Sequence, residues 1–579
     1  MTRHLILVSL VMGCSGDGEQ PDAPPVEQIE QLPVLQITNP ARAAFLPPGE
    51  VQVQGQVIAG DADIDTLVSK GIEINPEPTG EFSQTLPLDV GLNILGTRVE
   101  DVAGKRAVDG RGFYWGPSYS PGEYVKKGLR IRIGPELLDD NDPDLDDIAS
   151  LAELLATDSS IYDLIIGETI EDDQFDLIIT GLTVNSAEVD ITPKDAFIDL
   201  KIRLNDFWMS FDIENILGQS YLNTQGSTWS DGIDLTLQVA LSMAGGSIET
   251  SSAQAETSLD GFGITVDSFP DFLEGYLADW VEDYLKEAAA EAVNDEVAEL
   301  LAELIEGLTA DADFGEVQLF TSLNEVEIKE TGIRLTADMA AEGADLSTLP
   351  DGAGSPKTES DAPDWSDIPE GPISVAVDDD MVNQFIFALW GSGELSGFEF
   401  SGTELALLAG APIEAPLGPV SSASLDVELP PMLRKPTEPS MTADMGMGEM
   451  RLRVYREDGQ IHDFSINTWL GATVSLTETG NITLDFDSRP KYIPMEIGVL
   501  AWDPALDPGD LAALTRLMMP PLFGRAATLA PSFETPTLPL GETLGIEGLE
   551  DIQLRLKEAD FAFNENNWLI LNASLEGVQ

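Results

Sequence analysis

Apolar and polar residues alternate with period two over much of this chain. Val51, Val53 and Val57 alternate with Gln52, Gln54 and Gln56, as in a strand with one face buried. From Leu35 to about Trp115 the same signal comes in short pieces. They are separated by turn residues at Gly80-Glu81-Phe82, Leu86-Pro87-Leu88, Gly91-Leu92-Asn93 and Asp101-Val102-Ala103-Gly104. Further along the strands lengthen. Ile198, Leu200, Ile202 and Leu204 point one way, and Asp199, Lys201 and Arg203 the other. Phe207, Met209, Phe211 and Ile213 read as continuing that phase, and Ile233, Leu235, Leu237, Val239, Leu241 and Met243 form another run. Strands this far beyond the usual five or six residues suit large, strongly twisted antiparallel sheets.

Helical spacing interrupts the alternation at a few places. Gly128 to Ile133 predicts a strand, followed by a helix near Ile148 to Ala156. Between Asp271 and Leu308, Leu273, Leu277, Trp280, Val281, Tyr284, Leu285, Ala288, Ala292, Leu300, Leu301, Leu304 and Ile305 recur at the 3.6-residue period, with acidic residues between them. A helix over 271–308 would be about 55 Å long. Asn294-Asp295 marks a possible bend, and packing against a sheet competes with a coiled-coil dimer. Glu342 to Pro372 carries five prolines among Asp, Gly and Ser and reads as a linker or long surface loop. The plan then repeats: a strand at Ile373–Val377, Asp378 or Asp379 capping an apolar helix from Met381 to Trp390, and Gly391 ending it. Strands follow near 450–454, 472–476 and 482–486, then a helix over 507–519 and strands at 552–556 and 568–575.

Composition narrows the chemistry. At roughly 150 residues per domain, 579 residues suggest about four units, and 43% hydrophobic residues allow a sizeable core. With 103 Asp and Glu against 29 Lys and Arg, the net charge is −74. Such a polyanion repels phosphate backbones, so nucleic acid is excluded as a partner, and adaptation to salty surroundings is the plain reading. His4, His462 and Cys14 are the only imidazoles and thiol. That rules out a His/Cys zinc site and an intrachain disulfide, and no Gly-x-Ser-x-Gly elbow accompanies His462. An enzyme is not expected, nor a cofactor. Asp140, Asp142 and Asp144 stand on alternate residues of an acidic run, as in calcium loops. The run lacks the EF-hand glycine and terminal glutamate, so a solvated loop capping the next helix competes with a metal site.

Thr2-Arg3-His4, the apolar run Leu5–Met12 and Gly13-Cys14 form a start too short to span a bilayer. They read as a signal peptide over 1–13. Val11-Met12-Gly13-Cys14 resembles a bacterial lipobox, which implies lipidation at Cys14; a buried free thiol is the alternative. Ser15 after the cysteine resembles the outer-membrane sorting pattern, which implies an outer-membrane location facing periplasm or exterior. Residues 14–33 read as a flexible acidic tether reaching about 25 Å.

The order and spacing of strands over 34–117 resemble bacterial immunoglobulin-like spacer domains. The remainder resembles the tubular lipid-binding superfamily, nearest the family of bactericidal/permeability-increasing protein, lipopolysaccharide-binding protein and cholesteryl ester transfer protein. Residues 262–308, Val375-Ala376-Val377-Asp378 with Phe385-Ile386-Phe387-Ala388-Leu389-Trp390, and 511–522, 533–540 and 553–575 carry that resemblance. It implies an α+β fold: barrels over 124–340 and 373–579, with long amphipathic helices, joined by a central sheet into a boomerang, and 341–372 between them. It also implies acyl-chain pockets. Leu200, Ile202, Leu204, Leu277, Trp280, Val281 and Tyr284 are the candidate lining, each with ordinary core as its alternative. The implied function is a membrane-anchored lipoprotein, monomeric or of open oligomeric state, that binds or transfers lipid. A structural or adhesive surface protein is the competing reading. The family's disulfide cannot form here and its basic tip has no counterpart, so head-group recognition through cations is not implied.

Overall fold

The computed structural model describes residues 31–142, 146–157, 166–172, 174–219, 223–267, 271–292, 302, 305–307, 309, 311–343, 349–358, 360–409, 417–477, 481–486, 495–503, 506–516, 519, 533–534, 538–539 and 553–578. The signal segment, Cys14, residues 14–30 of the tether, Asp144 and helix positions 293–300 lie outside the described residues. The molecule is mostly β, with 56% strand and 15% helix in sheets curled as half-barrels, which corrects the expected α+β fold with long amphipathic helices. The physical reason is the reach of period-two alternation. It sustains strands of 18 residues at Phe197–Glu214 and 21 at Thr224–Ala244, and the described part of the expected 271–308 helix is Asp271–Ala292, 22 residues.

Val34–Asn39, Gln52–Ile58 and Glu81–Thr85 form one small sheet, and Ala44–Leu46, Arg106–Trp115, Gly91–Asp101, Ile64–Ser69 and Ile72–Glu73 another. They close on a core of Val53, Val57, Leu67, Phe82, Leu95, Val99 and Phe113. This unit does not stand off as a spacer. Tyr114 Oη donates to the Pro430 carbonyl at 2.9 Å, and the Gly112 N–H donates to Glu449 at 2.7 Å. A Cβ at Gly112 would lie 2.6 Å from Asn467 Oδ1 and 3.0 Å from Gly448 Cα, so only glycine permits this approach.

A central eight-stranded sheet takes strands from both halves of the chain. Its order is Ala312–Asp313, Val317–Lys329, Gly332–Gly343, Val125–Ile133, Ile373–Asp378, Trp568–Val578, Gln553–Phe563 and Leu538–Pro539. Leu129 therefore faces Ala337 on one side and Val377 on the other. The Pro-rich stretch expected as a linker is strapped onto this sheet over 349–372, apart from residue 359. Ser355–Pro356 pairs with Ser118–Tyr119, and the guanidinium groups of Arg130 and Arg334 lie 5.2 and 5.4 Å from the Trp365 ring. Arg132 donates to the Ile368 carbonyl at 3.0 Å and to that of Trp365.

The first-half sheet runs Thr169–Glu171, Asp176–Thr183, Phe197–Glu214, Thr224–Ala244, Ser247–Asp260, with Ser186–Lys194 and Gly263–Val266 on its long members. Its phase does not continue unbroken. The buried side switches from even positions (Ile198, Leu200) to odd ones (Phe207, Met209, Phe211), and the facing strand switches with it. Pairing keeps one register across the switch, Asn205 with Gly232 and Phe207 with Ser230, while Asp206 takes φ +54°. A short helix α1, Pro135–Leu138, and α2, Ile148–Thr157, lie beside strand Ser186–Lys194, and α3 is Asp271–Ala292. In the second half, α4 (Asp379–Gly391) and α5 (Gly402–Ala409) accompany a sheet built on Ala443–Arg456 and Ile461–Leu476.

Candidate functional site

The seven residues expected to line an acyl pocket all belong to one contiguous apolar cluster in the first half. On the sheet, Leu200 pairs with Ile191 and Leu237, Ile202 with Val189 and Leu235, and Leu204 with Ala187 and Ile233. On α3, Leu277 and Val281 are completely buried. Tyr276, Trp280 and Tyr284 stand four residues apart and so share one helix face. Trp280 stacks on Tyr284 at 5.7 Å and meets the Phe175 ring edge-on at 4.9 Å. Burial is graded across the set. Leu200 is 4% exposed and closed in, while Ile202, Leu204, Trp280 and Tyr284 are half-buried and Tyr276 is exposed. α3 packs on Ser247–Asp260 and Gly263–Val266, and its Trp280 reaches Phe175 just ahead of Asp176–Thr183.

Ile202, Val189 and Leu235 also border a cleft of about 450 Å³ whose other walls are mostly polar. Asp139, Asp142, Glu153, Glu188, Asp190 and Asp234 line it with Lys201 and Arg203. Its two cations are already neutralised: Lys201 pairs with Asp190 at 2.9 Å and Arg203 with Asp234 at 2.7 Å. The acidic loop borders this cleft but is occupied with backbone work. Asp140 accepts from the Asp142 N–H, Asp139 accepts from the N–H groups of Asn141 and Ile191, and Asp147 caps α2 through the Ser150 N–H at 2.6 Å. Glu153 likewise accepts from the Val189 N–H at 2.9 Å. The helix and loop thus satisfy the open edge of Ser186–Lys194, as protected sheet edges require. Of the calcium candidates, Asp140 and Asp142 lie in these turns.

A second group of carboxylates escaped the sequence reading. Asp378, Asp379 and Asp380, at the head of α4, are 5%, 2% and 1% exposed. Asp378 caps the helix, accepting from the Asp380 N–H at 2.9 Å. Ser360 Oγ donates to Asp379 at 3.0 Å, and Thr358 Oγ1 donates to Asp380 at 2.7 Å. Burial, followed by repulsion from Asp380, pushes Asp378 up to about 8 and Asp379 to about 6. The available signal was Asp-Asp-Asp directly before an apolar helix, but that pattern reads first as an N-cap.

His462 is fully buried, with its ring 6.4 Å from that of Phe464. Burial and then the Arg456 charge hold its pKa below the ordinary value. It is a core histidine within the second-half sheet.

No family model and no curated protein matches this chain. Among solved structures, a lipopolysaccharide binding protein is similar at 13% identity and a TM-score of 0.37, over 78% of this chain and 99% of that one. P47 of Clostridium botulinum E1 is similar at 10% identity and a TM-score of 0.19, over 78% and 99%. P47 from Clostridium botulinum A2 follows at 9% and 0.20, over 78% and 98%. At these scores the likenesses carry no conclusion about fold or function.

Proposed function

We propose that this protein binds the acyl chains of a lipid at the open rim of the first-half apolar layer, without catalysing a reaction. The observation that supports this reading is the graded burial of one contiguous cluster. Leu200, Leu277 and Val281 close its depth, while Ile202, Leu204, Trp280 and Tyr284 leave apolar and aromatic surface exposed at its edge. Covering such surface with hydrocarbon yields about 0.8 kcal/mol per buried methylene. Two acyl chains would then supply the affinity without a charged head-group contact, in keeping with a cleft whose cations are already paired. The N-terminal sequence supports attachment through acyl chains on Cys14 to the bacterial outer membrane.

Native mass spectrometry of the purified protein should reveal co-purifying lipid, and a fluorescent phospholipid should be taken up. Ile202→Asp should lower that uptake by about tenfold or more, because covering an unpaired carboxylate with hydrocarbon strips its water without compensation. Absence of both lipid and uptake in the unmodified chain sinks the reading. Cys14→Ser should move the protein from the membrane to the soluble fraction.

A further inference from the structure

Six of the nine tryptophans are buried or half-buried, and the exceptions are Trp208, Trp229 and Trp502, at 41%, 40% and 37% exposed. Trp208 and Trp229 stand directly opposite one another on the long strands Phe197–Glu214 and Thr224–Ala244. Paired residues of an antiparallel ladder share a side, and here it is the solvent side, since Phe207 and Met209 take the buried one. The row continues to Thr183 on one flank and Gly263 on the other. Two residues along each strand, on the same side, comes a second row of Gly181, Ser210, Ser227 and Thr265.

The two indoles turn away from each other, each towards a glycine of the outer strand. A Cβ at Gly263 would stand 2.4 Å from Trp229 Cζ2 and 2.9 Å from its Nε1, so this ring lies across bare backbone. Thr228 Oγ1 donates to the Gly263 carbonyl at 3.0 Å and fixes that strand in place. On the opposite flank, Trp208 Cζ3 comes within 3.8 Å of where a Cβ at Gly181 would be. Four strands about 4.8 Å apart make this aromatic platform about 14 Å across.

Its surroundings select the occupant. Asp206 and Asp231, both exposed, stand two residues from the tryptophans, and the chain carries a net charge of −74. An anionic surface is repelled, and hydrocarbon would strip water from these carboxylates without compensation. An organic cation calls for rings that converge around it, whereas these diverge. An uncharged sugar chain meets none of these obstacles. Each sugar ring has a C–H face, which packs on the negative face of an indole, and a rim of hydroxyls. Ser210 and Ser227, followed on the same side by the pair Asp212 and Gln225, offer those hydroxyls donors and acceptors. The breadth of the platform suits several linked sugars rather than one.

We propose that the solvent face around Trp208 and Trp229 is a binding site for a neutral polysaccharide, held by stacking on the two indoles. Gly181 and Gly263 let the rings spread over the sheet, and the polar pairs beside them bond the sugar hydroxyls. The site uses none of the residues assigned to the acyl-binding rim and does not depend on the lipid reading.

Affinity electrophoresis of the full chain through gels containing an α-glucan, a β-glucan, a mannan or a galactan tests this. At least one of the four should retard the protein. Trp208→Ala and Trp229→Ala should each weaken that binding about tenfold or more, while leaving the melting temperature within a few degrees because both indoles are exposed. Trp208→Tyr, which keeps a ring to stack on, should retain most of it, and Trp502→Ala should leave it unchanged. Retardation by none of the four polysaccharides overturns the proposal, as does retardation that survives both alanine substitutions. Binding to phosphatidylcholine vesicles that falls with Trp208→Ala, without retardation by any polysaccharide, also overturns it, by making this face a membrane contact.

Discussion

Asp338 shows how a single carboxylate is made useful inside a sheet. Lys126 Nζ donates to it at 2.6 Å, the Lys127 N–H at 2.7 Å and the Asn324 amide at 2.6 Å. Burial pushes its pKa up, but these donors outweigh burial and hold it below the ordinary value. A depressed native pKa means the charged form is the folded one. Its stability is therefore present above the ordinary value of 3.8 and lost as pH falls through the lower native value. Asp338→Asn should cost about 1–3 kcal/mol at neutral pH, with the gap from the unmodified protein closing in acid. Melting curves recorded across pH check this.

At the scale of elements, α3 depends on its buried face. Leu277→Ala removes a completely buried side chain and should cost about 2–5 kcal/mol, read by chemical denaturation. The strands were legible because alternation is a local property of the letters. The change of buried side between Leu204 and Phe207 stands in the sequence too, as a step from even to odd positions. Taking the run as one phase overlooked it, and the structure places the left-handed Asp206 at that step. The strap over 349–372 was not legible as a packed element. Proline and acidic residues dominate it, whereas its attachment rests on Trp365 and Ile368 meeting arginines from strands far away in sequence. The buried carboxylates were hidden for the same reason: a capping aspartate is visible locally, but the ribbon that covers it comes from Ser118–Tyr119 and Ser355–Pro356. Among the expected pocket residues, membership of one apolar cluster followed from periodicity. Which of them reach the rim depended on the neighbouring strands.

For the whole molecule, one buried glutamate joins the N-terminal unit to the second half. Glu449 receives Arg42 Nη1 at 3.1 Å, the Gly112 N–H at 2.7 Å and Ser465 Oγ at 2.9 Å, and it is 1% exposed. Glu449→Ala would strand these donors and should cost about 3–5 kcal/mol. Glu449→Gln, which keeps an acceptor for Gly112, should cost less. Limited proteolysis should cut between the two units sooner in the alanine variant. The central sheet has a consequence for biosynthesis. Its strand Ile373–Asp378 is zipped on one side by Val125–Ile133 and on the other by Trp568–Val578, far along the chain. A ribosome therefore releases the whole stretch between residues 378 and 568 before that hydrogen-bonding edge finds its mate. Until then the growing protein carries an adhesive flank, which a chaperone or a secretion machine would have to shield, and deleting the strand Trp568–Val578 would leave it sticky for good.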